Sequence, residues 1–367
     1  MSVSMGIFYH EYRDRGEPFG LETLHFRQLC EMGQVRRMSV VVFTPEGVDQ
    51  ELRRVQGYTP DADGRWISST LPVPDVVYLR GVTMDSASDQ RMAAAVTWLG
   101  TQRTRLINSV ELIRALGDKW LTHQLLASDP MISAYLPKTS PLNEAALAEM
   151  LNRYPVIMVK HRFGFESRGM IRIERLPERG YACVINDLDA SRQRLTVPSF
   201  SALVTLLALR AQPAGDYIVQ EGIKLASLEG RPFELRMIMN KAAGRWLRTG
   251  MVVRLSGTAD MPFLAVGSER NQRPSEILPV VFGDRAGLIL DQVRALARTI
   301  VVELERGAGL GGELALDFGF DQQGHPWLIE GNSKPFNLFI RTGAYSLRRK
   351  NMARVLEYAQ ELAASTT

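Results

Sequence analysis

Lysine is scarce in this chain. Only seven of its 44 basic residues are lysine: Lys119, Lys138, Lys160, Lys224, Lys241, Lys334 and Lys350. Genome composition explains the bias, which also singles out any lysine standing beside glycines. Cysteine is nearly absent too. Cys30 and Cys183 lie in apolar surroundings without metal-ligand spacing, which argues against a disulfide scaffold and a zinc site and for a reducing compartment. No run is apolar for long enough to span a bilayer. Residues 1–10 read as a strand, lacking the long apolar core and cleavage site of a signal peptide. The net charge is only +4, too little to argue for nucleic acid. These absences predict a soluble cytoplasmic protein with no membrane or nucleic-acid partner, and they leave a homodimer open.

What is present is an ordinary soluble balance, 45% hydrophobic and 23% charged, over 367 residues, long enough for two or three cored domains. Residues 5–9, 38–43, 74–79 and 105–109 read as strands. The second ends at Thr44-Pro45 and the third at Arg80-Gly81. Leu21, Leu24, Leu29 and Met32 fall near helical spacing between the first two, and another helix starts near Val110. Strands alternating with helices predict a small open α/β sheet, whose ligands gather beyond the carboxyl ends of its strands, where Arg80 stands.

A turn-rich link at 137–141 follows, then a helix capped by Asn143 and running to about residue 152. Strands at 156–160, 170–174 and 181–184, with a helix at 199–210, predict an α+β domain. Farther on come a short strand at 217–220, a hairpin of 233–240 and 246–255 turning at 241–244, and a long helix at 285–304. Two strands at 312–320 and 326–330, joined by a polar turn at 321–324, precede a last helix within 343–363. There are no repeats and no low-complexity segment.

The strongest chemical signal is the last strand pair. Glu313 and Asp317 share a face of the first strand, and Glu330 and Asn332 share a face of the second. Carboxylates in apolar strands are costly unless paired or bound to a cation. Asp317, Glu330 and Asn332 together make a hard-oxygen set suited to Mg2+. Either carboxylate alone reads better as an ion-pair or surface residue. A second signal is Lys160, which ends an apolar strand before Gly164 and Gly169, a context that holds phosphate but also describes a solvated hairpin. A third is the passage from apolar strand to polar turn at Gln220, Glu221 and Ile223, which can offer backbone groups to a purine and a carboxylate to a ribose, or simply end a strand. The fourth is Arg236 and Arg254, each in an apolar strand and each needing an anion: Asp317, Glu330 or a phosphate. No Ser–His–Asp set is evident. His161 and His325 show no partner, and His325 is expected to be solvated.

Together these residues resemble the ATP-grasp superfamily. With Asp118-Lys119-Trp120, the Lys160 strand, the hinge at Gln220 to Ile223 and Arg231-Pro232-Phe233-Glu234-Leu235-Arg236, most of the chain resembles its YheC/YheD group of spore-coat-associated proteins. The resemblance implies an α/β and α+β fold in three parts: a preATP-grasp α/β domain at 1–115, a lid or central region at 116–215 and a metal-bearing C-terminal domain at 216–367. It implies that ATP is held by Lys119, Lys160, Gln220, Glu221 and Ile223, and Mg2+ by Asp317, Glu330 and Asn332. The phosphate loop departs from the family pattern at Phe165 and Glu166, and the 267–274 loop lacks paired glycines. The implied activity is ATP-dependent joining of a carboxylate to an amine through an acyl phosphate, on an amino acid, peptide or protein, with Arg236 and Arg254 catalytic. Arg80, Lys334 and Arg341 would form a cationic rim for an anionic substrate. The alternatives are a non-catalytic coat or nucleotide-binding protein that keeps the fold, and a small-molecule kinase.

Overall fold

The computed structural model describes residues 3–10, 18–80, 90–164, 168–187, 191–256, 271–335 and 345–365. Its first sheet holds β1 (Ser4–Phe8), β2 (Ser39–Asp49), β3 (Arg54–Pro60), β4 (Trp66–Pro72), β5 (Val76–Leu79) and β6 (Arg105–Ile107), in the order β4-β3-β2-β1-β5-β6. The strands β2, β1, β5 and β6 run parallel, and α1 (Thr23–Val35) and α2 (Gln90–Thr101) connect them. The expected end of β2 at Thr44-Pro45 is corrected. The strand continues to Asp49, with an irregular register between Phe43 and Val48 that accommodates the proline, and pairs with β3. The β3–β4 hairpin is an addition. Most of β4 is exposed, so it lacks the apolar alternation by which a strand is recognised.

Three helices follow: α3 (Val110–Gly117), α4 (Lys119–Ala127) and α5 (Pro130–Ser133). Ser109 and Asp118 cap the first two, each accepting from backbone N–H groups of the opening turn. The second sheet contains β7 (Thr139–Pro141), β8 (Val156–His161), β9 (Met170–Arg175), β10 (Tyr181–Asn186), β11 (Arg192–Val197) and β12 (Tyr217–Glu221), with α6 (Glu144–Arg153) and α7 (Phe200–Arg210). It is antiparallel throughout, in the order β11-β10-β9-β8-β12-β7. Asn143 caps α6 through Ala146 N–H. The 137–141 link supplies an edge strand, and β12 lies between it and β8.

The third sheet consists of β13 (Ser227–Leu228), β14 (Arg231–Ala242), β15 (Arg245–Leu255), β16 (Asn271–Gln272), β17 (Glu313–Phe320) and β18 (Pro326–Asn332). Its path is β16-β15-β14-β17-β18, with β13 on β14. The β14–β15 turn is Ala243-Gly244, both at positive φ, as a two-residue hairpin requires. The helices here are α8 (Pro274–Phe282), α9 (Ala286–Ala308) and α10 (Tyr345–Ala364).

Period two divides the third sheet into two faces. Leu235, Met237, Leu314, Leu316 and Phe318 are buried in one core with Val293, Ile300 and Leu304 of α9, and α3 and α4 contribute to it. The tail helix α10 returns to the first sheet, where Met352, Val355 and Leu356 join Met5, Ile7 and Phe26. Both cysteines are free and buried. Among the described residues, no helix is long and apolar enough to cross a membrane.

Asn108 ties the first sheet to the third. Its Nδ2 donates to the carbonyls of Glu313 and Ser333 at 2.8 and 2.9 Å, and its Oδ1 accepts from Gly312 and Glu313 N–H. All four bonds are buried. Asn108→Leu leaves these main-chain groups without partners, so it is expected to destabilise the fold by at least about 3 kcal/mol. A urea midpoint close to wild type at unchanged m-value would refute this.

Candidate active site

The face of the third sheet opposite α9 is polar at its centre. The register sets Asp317 beside Arg236 on one neighbouring strand and beside Glu330 on the other. Asp317 is 1% exposed. Arg236 grips it with a fork, Nε to Oδ1 at 2.6 Å and Nη2 to Oδ2 at 2.5 Å. Arg254 adds Nη2 to Oδ2 at 3.1 Å, and Asn332 Nδ2 approaches Oδ2 at 3.4 Å. Arg254 also pairs with buried Glu234, its register partner across β14 and β15. Burial opposes ionisation of Asp317, but the two guanidiniums outweigh it and hold the carboxyl below its ordinary range.

A cleft opens beside this face, between α4, the second sheet and β18. Leu116, Leu126, Leu136 and Leu328 give it apolar walls, and Lys119, Lys160, Gln220 and Glu330 supply its polar groups. Lys119 Nζ lies 3.2 Å from Glu330 Oε1 and also donates to the Gly164 carbonyl. Lys160 Nζ donates to Gln220 Oε1 at 2.6 Å, and Gln220 Nε2 to Thr139 Oγ1 at 2.9 Å. Burial, and secondarily the charge of Lys119, pulls the Lys160 ammonium down to about 8, with Glu330 opposing. Two cations and one carboxylate therefore converge from two domains on an apolar-walled slot, which suits a flat apolar ligand with an anionic tail.

The structure thus gathers Lys119, Lys160, Gln220 and Glu330 in the cleft, and Arg236, Arg254, Asp317 and Asn332 around the carboxylate beside it. Glu221 and Ile223 follow from Gln220, but Glu221 is engaged elsewhere: its carboxylate accepts from Lys138 N–H at 3.2 Å. Lys334 is half-buried just past β18. Arg341, Phe165, Glu166 and residues 267–270 lie outside the described residues.

Arg80 is corrected. It does not stand on an open rim: among the described residues its guanidinium meets Glu22, Glu313 and the Pro335 carbonyl. It is 6% exposed, with Nη2 on Glu22 at 3.0 Å and Nη1 on Glu313 at 3.3 Å and the Pro335 carbonyl at 3.1 Å. Tyr78 donates to the same Glu313, and Asn351 Nδ2 to its other oxygen at 2.6 Å. Its charge is consumed where the first sheet meets the third. His325 is likewise not free in solvent: it stacks on Tyr135 at 5.0 Å, with Nε2 3.1 Å from the Ala134 carbonyl. His161 packs edge-on against Tyr217, and its Nδ1 accepts from Phe163 N–H. Sequence reading overlooked Glu234, although it shares a strand face with Arg236 by period two. It also overlooked Arg162, whose partner Asp118 is 44 positions away.

A family model for YheC/D-like ATP-grasp proteins matches residues 111–362. The chain belongs to this ATP-grasp family. Two Bacillus subtilis (strain 168) proteins of the group are similar to it along most of its length. Endospore coat-associated protein YheD is 25% identical over 94% of this chain and 75% of its own, and endospore coat-associated protein YheC is 24% identical over 80% and 79%. Solved ATP-grasp structures share the fold. D-alanyl-alanine synthetase A from Vibrio cholerae superposes with a TM-score of 0.54 at 12% identity, covering 97% of this chain and 98% of that one. A RiPP-associated ATP-grasp ligase from Chryseobacterium gregarium, solved with ADP and a leader and core peptide, gives 0.54 at 13% identity over 99% and 97%. In this ATP-grasp chain the slot lies between the second sheet and the third.

The cleft generates a directional test. With all lysines labelled for 13C NMR, the resonance that vanishes in Lys160→Met should titrate near pH 8. Lys119→Met should raise that pKa and Glu330→Gln should lower it. A Lys160 resonance titrating at the ordinary 10.5 would contradict the burial argument.

Proposed function

We propose that the chain is an ATP-dependent carboxylate–amine ligase that releases ADP. The observation supporting this most directly is the convergence of Lys119, Lys160, Gln220 and Glu330 in one slot beside Asp317 and Asn332. The apolar walls suit adenine, Gln220 at the hinge suits its polar edge, and the two lysines suit phosphate oxygens. Both lysines bond protein oxygens, so nucleotide phosphates would take over existing charge-assisted bonds.

Asp317, Glu330 and Asn332 offer hard oxygen donors of the kind Mg2+ requires. Asp317 and Glu330 are register partners on adjacent strands and Asn332 Nδ2 reaches Asp317 Oδ2, so the three side chains meet at one place; both Asp317 oxygens accept from arginine, so the set would hold the ion once those bonds yield. Mg2+ bound there would neutralise charge on the transferring phosphoryl group. Arg236 holds Asp317 in one orientation, and Arg254 is shared between Asp317 and Glu234. Their first duty is therefore to position the acidic strand, with Arg254 placed to meet developing negative charge. Closure of the lid would exclude water from an acyl phosphate and leave it to an amine. The acceptor is an amino acid, peptide or protein carboxylate. A second reading, a coat component that keeps the fold without turnover, draws on the occupation of both Asp317 oxygens by arginine.

Steady ADP release that needs both a carboxylate and an amine, with a product mass equal to their sum less water, is the expected result with pooled amino acids and peptides. A stable phosphorylated product in place of an amide would instead identify a kinase, and nucleotide binding without ADP release would favour the coat component. Asp317→Asn and Glu330→Gln should abolish Mg-dependent turnover in folded protein. Lys119→Ala and Lys160→Ala should each weaken binding of a non-hydrolysable ATP analogue by about 1.5–3 kcal/mol. Unchanged affinity in both lysine variants would remove the slot as the nucleotide site.

A further inference from the structure

Asp118 is the cap of α4, yet it does more than a cap needs. Its Oδ1 accepts from Trp120 N–H at 2.9 Å and Leu121 N–H at 3.3 Å. The same carboxylate receives a fork from Arg162, Nε to Oδ1 at 3.0 Å and Nη2 to Oδ2 at 2.5 Å. Arg162 is the first residue past β8, so this ion pair joins the helix on the third-sheet side to the second sheet. The joint is doubled in the main chain: Lys119 N–H donates to the Arg162 carbonyl at 3.1 Å. Arg162 is anchored in turn to the start of β12. Its N–H donates to the Asp216 carbonyl at 2.7 Å and its Nη1 to the Gly215 carbonyl at 3.1 Å. The pair is mostly shielded, at 12% exposure for the Asp118 side chain and 25% for Arg162.

The two lysines of the slot flank this joint. Lys119 follows Asp118, and Lys160 precedes Arg162 by two residues. The Lys119 ammonium raises the cost of charging Lys160, so the two segments are brought together against repulsion. We infer that the Asp118–Arg162 pair is a latch that sets the spacing of Lys119 and Lys160, making Asp118 and Arg162 positioning residues for the polyphosphate of a nucleotide. This role rests on the nucleotide-binding reading of the slot.

Asparagine separates the latch from the cap. It caps helices as well as aspartate does, so Asp118→Asn keeps the bonds to Trp120 and Leu121. It loses the negative charge and turns an amide donor toward Arg162 Nη2. Calorimetric titration with ADP should show about tenfold weaker binding in Asp118→Asn and in Arg162→Gln, with melting temperatures near wild type. The double variant should bind no more weakly than the weaker single, because both break one pair. Arg162→Lys, which keeps the charge but not the fork, should recover part of the affinity. Should Asp118→Asn fail to fold, Arg162→Gln with its lysine rescue carries the test, since Arg162 caps no helix. Wild-type affinity in the folded single variants, or losses that simply add in the double, would overturn the latch while leaving the slot intact. Absence of ADP binding by wild-type protein would overturn the nucleotide reading and the latch together.

Discussion

The bidentate pair between Arg236 and Asp317 lies in the middle of the third sheet, where both groups are shut away from water. A lone charge there would be strongly destabilising, and the fork satisfies both. Other groups are placed around it. Arg254 reaches the same carboxylate from β15 and passes to Glu234, while Asn332 approaches it from β18. The opposite face of the same strands is wholly apolar against α9, so the sheet cannot slip by one residue without burying these charges among leucines. The pair thus specifies register, and the register fixes which residues face the slot.

A second set of buried charges joins domains rather than strands. Glu313, four residues before Asp317 on β17, receives Tyr78, Arg80 and Asn351. Asn108 fastens the main chain at the same point. The first sheet and α10 are thereby bound to the third sheet by many polar contacts, whereas the second sheet meets it through a few segments around Lys119, Asp118 and Arg162.

The chain's relatives YheD and YheC carry names taken from the spore coat, while the synthetase and the ligase that share its fold at low identity carry names taken from catalysis. The slot's chemistry speaks to this contrast. Lysine is rare in the chain, yet two of its seven lysines meet there. Two neighbouring ammoniums, one held down by burial, are the feature on which the nucleotide proposal rests.

Periodicity alone settled much of this molecule. The faces of β17 and β18, the β14–β15 hairpin, the Asn143 cap and the long helix α9 follow from residue spacing, because each is decided by near neighbours. That Asp317, Glu330 and Asn332 are neighbours was legible for the same reason: two adjacent strands with one short turn bring them together. Tertiary structure decided what depends on distant partners. Arg80 at a strand end looked open to ligands, but Glu22 and Glu313 consume its charge, and Glu313 lies 233 positions away. The hairpin of β3 and β4 escaped notice because an exposed edge needs no apolar alternation. Arg162 gave no local sign of Asp118, since an ion pair across a domain joint is imposed by how the domains pack and leaves no period in the chain.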